Sequence, residues 1–284
     1  MKSLKLAIEK ELKAAIEEGE QVEIGLENRV HSVRRRCKRL RAYLHLLPPA
    51  YAPLGKRLRG RIRLAASSLS SLRDRHVMRV SFRRLKEALA AEGFSGAPLE
   101  RLSGYVQGRI ERIGRLEAPP EQQVEGMLEA LRQARRRMRK VAAGIDRQAS
   151  LDQFIQSYRR ARQALDQVLR RGNAADFHEL RKIVKRWQYQ GQWLFSDAVD
   201  FTEDLRRAHD LEEQLGATLD LVVLMHSIFE PDAATTDRDL AGIISRGRLE
   251  LKKRTQAMFE ACIPLACRLF HHRTRRFAKR CRQA

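Results

Sequence analysis

Two stretches of this 284-residue chain carry side chains able to grip an anion at several points. The first, VHSVRRRCKRLRAYLHLL from Val30, offers His31, Arg34, Arg35, Lys38, Arg39 and Arg41. The second, FHELRKIVKRWQYQGQWL from Phe177, offers His178, Arg181, Lys182, Lys185 and Arg186. Arginine presents a planar fork of donors that matches paired phosphate oxygens, while lysine acts as a compact charge, and each stretch holds both. Basic residues three or four apart on a helix stand about 5–6 Å from one another, so one helix can touch several groups of an extended polyanion. Each histidine starts near neutral and gains a proton beside a polyanion, because opposite charge favours the charged form; binding should then strengthen at mildly acidic pH.

The elements that must hold these residues follow from their apolar neighbours. Val30, Val33, Cys37, Leu40, Leu44 and Leu47 recur at three-four spacing, as do Phe177, Leu180, Val184 and Trp187, followed by a gap at Gly191 and then Leu194. That spacing gathers each set into one buried stripe of a helix. With 100° per residue, His31, Arg35 and Lys38 lie nearly opposite the first stripe, with Arg34 and Arg41 on one flank and Arg39 on the other. His178, Lys182 and Lys185 lie opposite the second, flanked by Arg181 and Arg186. Five of the eighteen aligned positions are identical at a constant shift of 147, and four of the five are polar: His31/His178, Arg34/Arg181, Lys38/Lys185 and Arg39/Arg186. A basic run is ordinarily a solvated helix face. Polar identities met twice argue instead for an internal duplication with a shared electrostatic task. A weaker echo at a shift of 146 aligns Asp74 with Asp220, for which a supporting role beside a basic residue is expected.

The whole chain fits this reading. A formal charge of +22 points to a polyanionic partner, and nucleic acid, an acidic membrane surface or an inorganic polyanion all qualify. Hydrophobic residues make up 43%, enough for a core. Breaks at LLPPAYAPLG, AEGFSGAPLE, LEAPPEQQ, RRGNAAD and FEPDAATTD separate segments rich in Leu, Ala, Arg, Glu and Gln, and nothing alternates like a strand for long. The prediction is an all-α chain in two similar halves, 1–148 and 149–284. Ser150 with Gln153, and Asp176 with Glu179, have capping-box spacing at two helix starts. Further arginines, Arg132, Arg135, Arg136 and Arg139 in LRQARRRMRK and Arg159, Arg160 and Arg162 in SYRRARQ, are expected to line the other wall of the same groove. No run approaches the roughly 18 apolar residues of a membrane span, and charge interrupts the amino-terminal apolar residues, which predicts a cytoplasmic location. Cys37, Cys262, Cys267 and Cys281 show no metal-ligand spacing, so neither a disulfide framework nor a metal site is expected. The two tryptophans are expected in the core.

The motif of His, Arg three on and a basic pair at seven and eight, met twice, resembles that of the CHAD family, the conserved-histidine α-helical domain. SYRRARQALDQVL and FEACIPLACRLFHHRTRRF are also similar to it, so the resemblance covers nearly the whole chain. It implies two four-helix bundles, related by a pseudo-twofold axis, around a basic groove or cavity. It also implies binding of inorganic polyphosphate, with phosphate or sulfate ions as stand-ins, and in some members a location at polyphosphate granules. The strand-rich triphosphate-tunnel domain that often accompanies the family has no counterpart in these residues. Gln188 stands where the first copy has Arg41, so unequal contributions from the halves are expected.

Two other functions fit the charge. An RNA or DNA binder is permitted by it, but aromatic residues are 6% and scattered, a poor set of stacking platforms, and no recognition motif appears. An enzyme acting on phosphoanhydrides would need carboxylates for Mg²⁺ or a Gly-rich phosphate loop, and neither pattern is visible. The expectation is a binding protein without catalytic residues or cofactor.

Overall fold

A computed structural model describes residues 3–91, 93–113, 119–139, 141, 145, 147–229 and 237–284, and at 68, 70–74, 76, 113, 120 and 147 it describes the backbone alone. The good helix formers between the breaks do form helices. In chain order they are α1 (Leu4–Glu20), α2 (Leu26–Tyr43), a single 3-10 turn (Pro49–Tyr51), α3 (Ala52–Ser68), α4 (Ser70–Ala91) and α5 (Ala97–Ile113). The chain continues with α6 (Pro120–Met138), α7 (Arg147–Arg171), α8 (Ala174–Leu194), α9 (Val199–Ile228), α10 (Arg238–Leu269) and α11 (Thr274–Gln283). No strand occurs among the described residues, and the fold is all-α as expected.

Both apolar stripes are buried. Val30, Val33, Cys37, Leu40, Leu44 and Leu47 face inward from α2 and the turn after it, and Phe177, Leu180, Val184, Trp187 and Leu194 from α8. The gap at Gly191 is a close approach: a Cβ there would stand 2.6 Å from Leu205 Cδ2 of α9. Both tryptophans join the core, Trp187 fully and Trp193 partly.

Two capping expectations are corrected. Gly172 leaves α7 at φ +60°, the left-handed conformation glycine adopts without steric penalty, and Asn173 then caps α8 by accepting from Asp176 N at 3.0 Å. Asp176 itself, one turn later than the cap, turns its carboxylate to Arg171 at 2.6 Å. Ser150 is not a cap either, since α7 begins at Arg147 and Ser150 is buried within it.

One hydrophobic cluster extends from Leu4 to Cys281 and joins α1, α2, α3 and α6 to α7, α8 and α11 and to parts of α9 and α10. A second gathers Phe82 and Leu85 of α4, Leu102 and Val106 of α5, Ile228 of α9 and Leu251 of α10. Each cluster draws on both sides of residue 148, so the two sequence halves bury apolar surface against each other. Their two principal direct seams are α4 on α9 and α2 on α8, and in the second Gln190 Nε2 donates to Ala42 O at 3.0 Å in buried surroundings. On the outer flank of α2, α1 supplies acids: Arg36 pairs with Glu11 (3.0 Å) and Glu18 (2.7 Å), and Arg39 with Glu11 (3.0 Å). No helix among the described residues is long and apolar enough to cross a membrane.

Candidate functional site

Beside the α2–α8 seam lies a cavity of about 940 Å³, closed in by α4, α9 and α10. The cation stripe of α2 enters it with His31, Arg34, Arg35, Lys38 and Arg39, and α8 adds Arg181 and Lys185. Arg84 of α4 and Arg254 of α10 stand on the facing walls. Among the described residues eight arginines and lysines thus line the space against three carboxylates, Glu212, Glu213 and Asp220 of α9. Tyr189 forms part of the floor, with Arg39 Cζ 5.5 Å and Lys185 Nζ 5.8 Å from its ring centroid, distances at which a cation is drawn to the ring face.

Glu212 organises the α8 side. Its carboxylate is 1% exposed and meets Lys185 at 2.7 Å and Arg181 at 2.9 Å. Burial pushes this carboxyl up, but the Lys185, Arg181 and Lys38 charges outweigh it and hold it below the ordinary glutamate range. The buried acid therefore stays ionised and holds two long cationic side chains in place before any ligand arrives. Gly216, one turn further along α9, leaves room for the Arg181 guanidinium: a Cβ there would stand 2.7 Å from Nη2. Gly216→Ala is expected to displace Arg181 from Glu212 and weaken anion binding several-fold with little change in helix content. Titration calorimetry beside circular dichroism checks this, and unchanged affinity would remove Arg181 from the binding set.

The structure divides the sequence candidates. His31, Arg34, Arg35, Lys38, Arg39, Arg181 and Lys185 share the cavity. Arg34 Nη1 also donates to Ala66 O of α3, so its guanidinium is oriented by the neighbouring helix. His178 and Lys182 lie outside the lining, with Lys182 paired to Glu179 at 3.2 Å. Partial burial, then the Lys182 and Arg181 charges, hold His178 below the ordinary histidine range. The later arginines do not form the other wall. On α6, Arg132 pairs with Glu20 (2.7 Å) and Glu125 (2.6 Å) and Arg136 with Glu129 (2.8 Å), while Arg135 and Arg139 also lie outside the lining. On α7, Arg162 donates to His272 O at 3.0 Å, and Arg159 and Arg160 are exposed. Asp220 does line the cavity, whereas the side chain of Asp74 lies outside the described residues.

Arg41 and Arg186 stand elsewhere, with Arg59 of α3, Arg160 of α7 and His45. Arg186 Nη1 lies 3.3 Å from His45 Nε2, and since a guanidinium only donates, that ring nitrogen accepts. Burial, followed by the charges of Arg186, Arg59, Arg160 and Arg41, pushes His45 down to about 3. A histidine depressed in the folded state contributes stability above its unfolded pKa near 6.5 and loses it as pH falls toward the folded value. The melting temperature is therefore expected to fall between pH 6.5 and 4, and His45→Gln should flatten that fall. Parallel pH profiles of the two proteins would expose the idea as wrong.

Sequence reasoning missed Arg84, Arg254, His209, Tyr189 and Glu212 as cavity residues. Asp220 was the single signal pointing to α9, through the weaker echo. The others carry no mark in their own helices, because what qualifies them is the helix they face.

Comparison with known proteins agrees with this architecture. No curated protein sequence matches the chain significantly. The solved structure of PptA from Streptomyces chartreusis superposes with a TM-score of 0.65 at 11% identity, over 95% of this chain and 98% of that one, a likeness of fold. The family model for the CHAD domain matches residues 6–228. With its all-helical fold and doubled basic helix, the chain belongs to the CHAD-domain family.

Proposed function

We propose that this protein binds inorganic polyphosphate in the cavity beside α2 and α8, through Arg34, Arg35, Lys38, Arg39, Arg181 and Lys185. The observation that carries the reading is the convergence of eight arginines and lysines on one space of about 940 Å³. So many like charges repel one another unless a multiply charged anion neutralises them, and a flexible chain with a negative charge on each unit can visit them in turn. Family membership supports the same ligand class, with phosphate or sulfate ions as stand-ins. His31 also stands at the lining, within reach of the same anion.

On this reading the two sequence halves, 1–148 and 149–284, form pseudo-symmetric bundles around the basic space, and the protein is a binding module with no catalytic role. It works in the cytoplasm, recruited to polyphosphate granules by its ligand. The second reading, RNA on the same surface, has the charge in its favour, but among the described residues the lining offers bases only Tyr189 and the smaller imidazoles of His31 and His209 to stack on.

The deciding experiment is competition between defined-length polyphosphate and tRNA at equal charge concentration, repeated at several salt concentrations. Polyphosphate should remain bound in tRNA excess; displacement at parity would overturn the specific reading. Phosphate release above background with Mg²⁺ or Mn²⁺ would overturn the non-catalytic one.

A further inference from the structure

The cations left out of the cavity form their own group. Arg41, Arg59, Arg160 and Arg186 come from four helices, α2, α3, α7 and α8, and none of them lines the cavity. Among the described residues none of the four is ion-paired with a carboxylate. Arg186 is half-buried, its Nε is buried without a hydrogen-bond partner, and its Nη1 rests on His45. Arg59 Nη1 donates to Leu44 O at 2.9 Å, the residue next to His45, so its fork is fixed at the same place. Burial and then the Arg160, Arg59 and Arg41 charges lower Arg186 to about 10, with only Glu179 pulling the other way, and Arg59 is lowered by burial and by Arg41 and Arg160. Half-buried Arg36, by contrast, has Glu11 and Glu18 to neutralise it. Four guanidiniums gathered together, three of them half-buried, repel one another, and an anion seated among them would relieve that repulsion.

We propose that Arg41, Arg59, Arg160 and Arg186, with His45, form a second phosphate-binding site that takes phosphoryl groups at the carboxyl end of α2. Its place on the fold gives it a role. Arg41 follows Arg34 and Lys38 at three-four spacing, about 4.5 Å beyond Lys38 along α2, and His45 lies just past the helix end, so the second site adjoins the carboxyl end of the same cationic stripe. A chain held in the cavity and long enough to continue along α2 meets it next, and a short phosphate fills it separately. The inference extends the polyphosphate reading to a second place on the protein, and its test separates the two.

The test uses the full chain, tripolyphosphate and long-chain polyphosphate as probes, and the double variant Arg59→Gln/Arg160→Gln, which touches no cavity residue. Titration calorimetry of the parent should show two tripolyphosphates per chain, and of the variant one, with the remaining affinity unchanged. Long-chain polyphosphate should bind the variant about tenfold more weakly. Loss of the second tripolyphosphate with long-chain affinity unchanged assigns the site to free small phosphates. Identical stoichiometry and affinity in parent and variant overturn the proposal. In phosphate-free buffer the variant should melt no lower than the parent, because repulsion is relieved; a lower melting temperature would mark the arginines as structural and also overturn it. Should the double variant fail to fold, Arg160→Gln alone, at an exposed position, carries the same stoichiometry test. The cavity reading is judged independently by Lys38→Gln/Lys185→Gln, whose binding of both probes must fall if that reading holds.

Discussion

Replacing Arg35 with Glu and Lys38 with Gln is expected to weaken polyphosphate binding by roughly 10²–10⁴-fold while the protein stays folded. The two residues project from α2 into the cavity, Arg35 exposed and Lys38 half-buried. A hydrogen bond to a charged group contributes about 1.5–3 kcal/mol, so two such contacts amount to about 3–6 kcal/mol, which converts to that range. The negative charge introduced at 35 adds repulsion. Arg34 and Arg39 are poorer targets, because Arg34 donates to Ala66 O and Arg39 pairs with Glu11, and their loss would mix stability with binding. If anion binding releases counterions as it does on nucleic acids, the slope of log affinity against log salt should also become shallower by about two. Fluorescence titration at several salt concentrations reads both quantities. An affinity within threefold of the parent's would mean that the cavity is not where the polyanion sits.

Trp187→Ala is expected to have the largest effect on stability, a loss of about 3–5 kcal/mol, with a fall in melting temperature of roughly 10 °C. Trp187 is 0% exposed and stacks on Phe154 at 5.3 Å between ring centroids, with Tyr158, Phe270 and Phe277 around it. These rings come from α7, α8, α11 and the turn after α10, so the cavity left by the deletion would loosen the contact between those elements. The indole Nε1 is buried without a hydrogen-bond partner. Trp187→Phe removes that unsatisfied donor while keeping a ring, so its loss should be no more than about half that of the alanine variant. Urea denaturation of both variants provides the comparison; an alanine variant within 1 kcal/mol of the parent would refute the central role given to this side chain.

How far the sequence reaches is visible in particular residues. The three-four spacing from Val30 to Leu47 and from Phe177 to Leu194 identified two buried stripes, and burial at those positions follows from helix geometry alone. His31, Arg35 and Lys38 opposite the first stripe could therefore be placed toward a ligand before any packing was known. The caps were read one step wrong at Asp176 because Asn173 competes for the same role and only backbone geometry decides between them. The arginines of α6 were expected in the groove on charge alone, yet glutamates of α1 and α6 face them.

The all-helical fold, the two inward stripes and the doubled cationic motif were determined by the sequence itself, because each depends on spacing within one helix and on composition. Tertiary structure alone decided that Arg39 and Arg186, identical in the motif, have opposite company. Arg39 meets Glu11 and the Tyr189 ring, whereas Arg186 meets His45 and three further arginines. It also decided that a buried glutamate, Glu212, anchors two of the binding cations. A helix's periodicity sets which way a side chain points, but its charge environment is set by whichever neighbouring helix packs there, and that information lies far away along the chain.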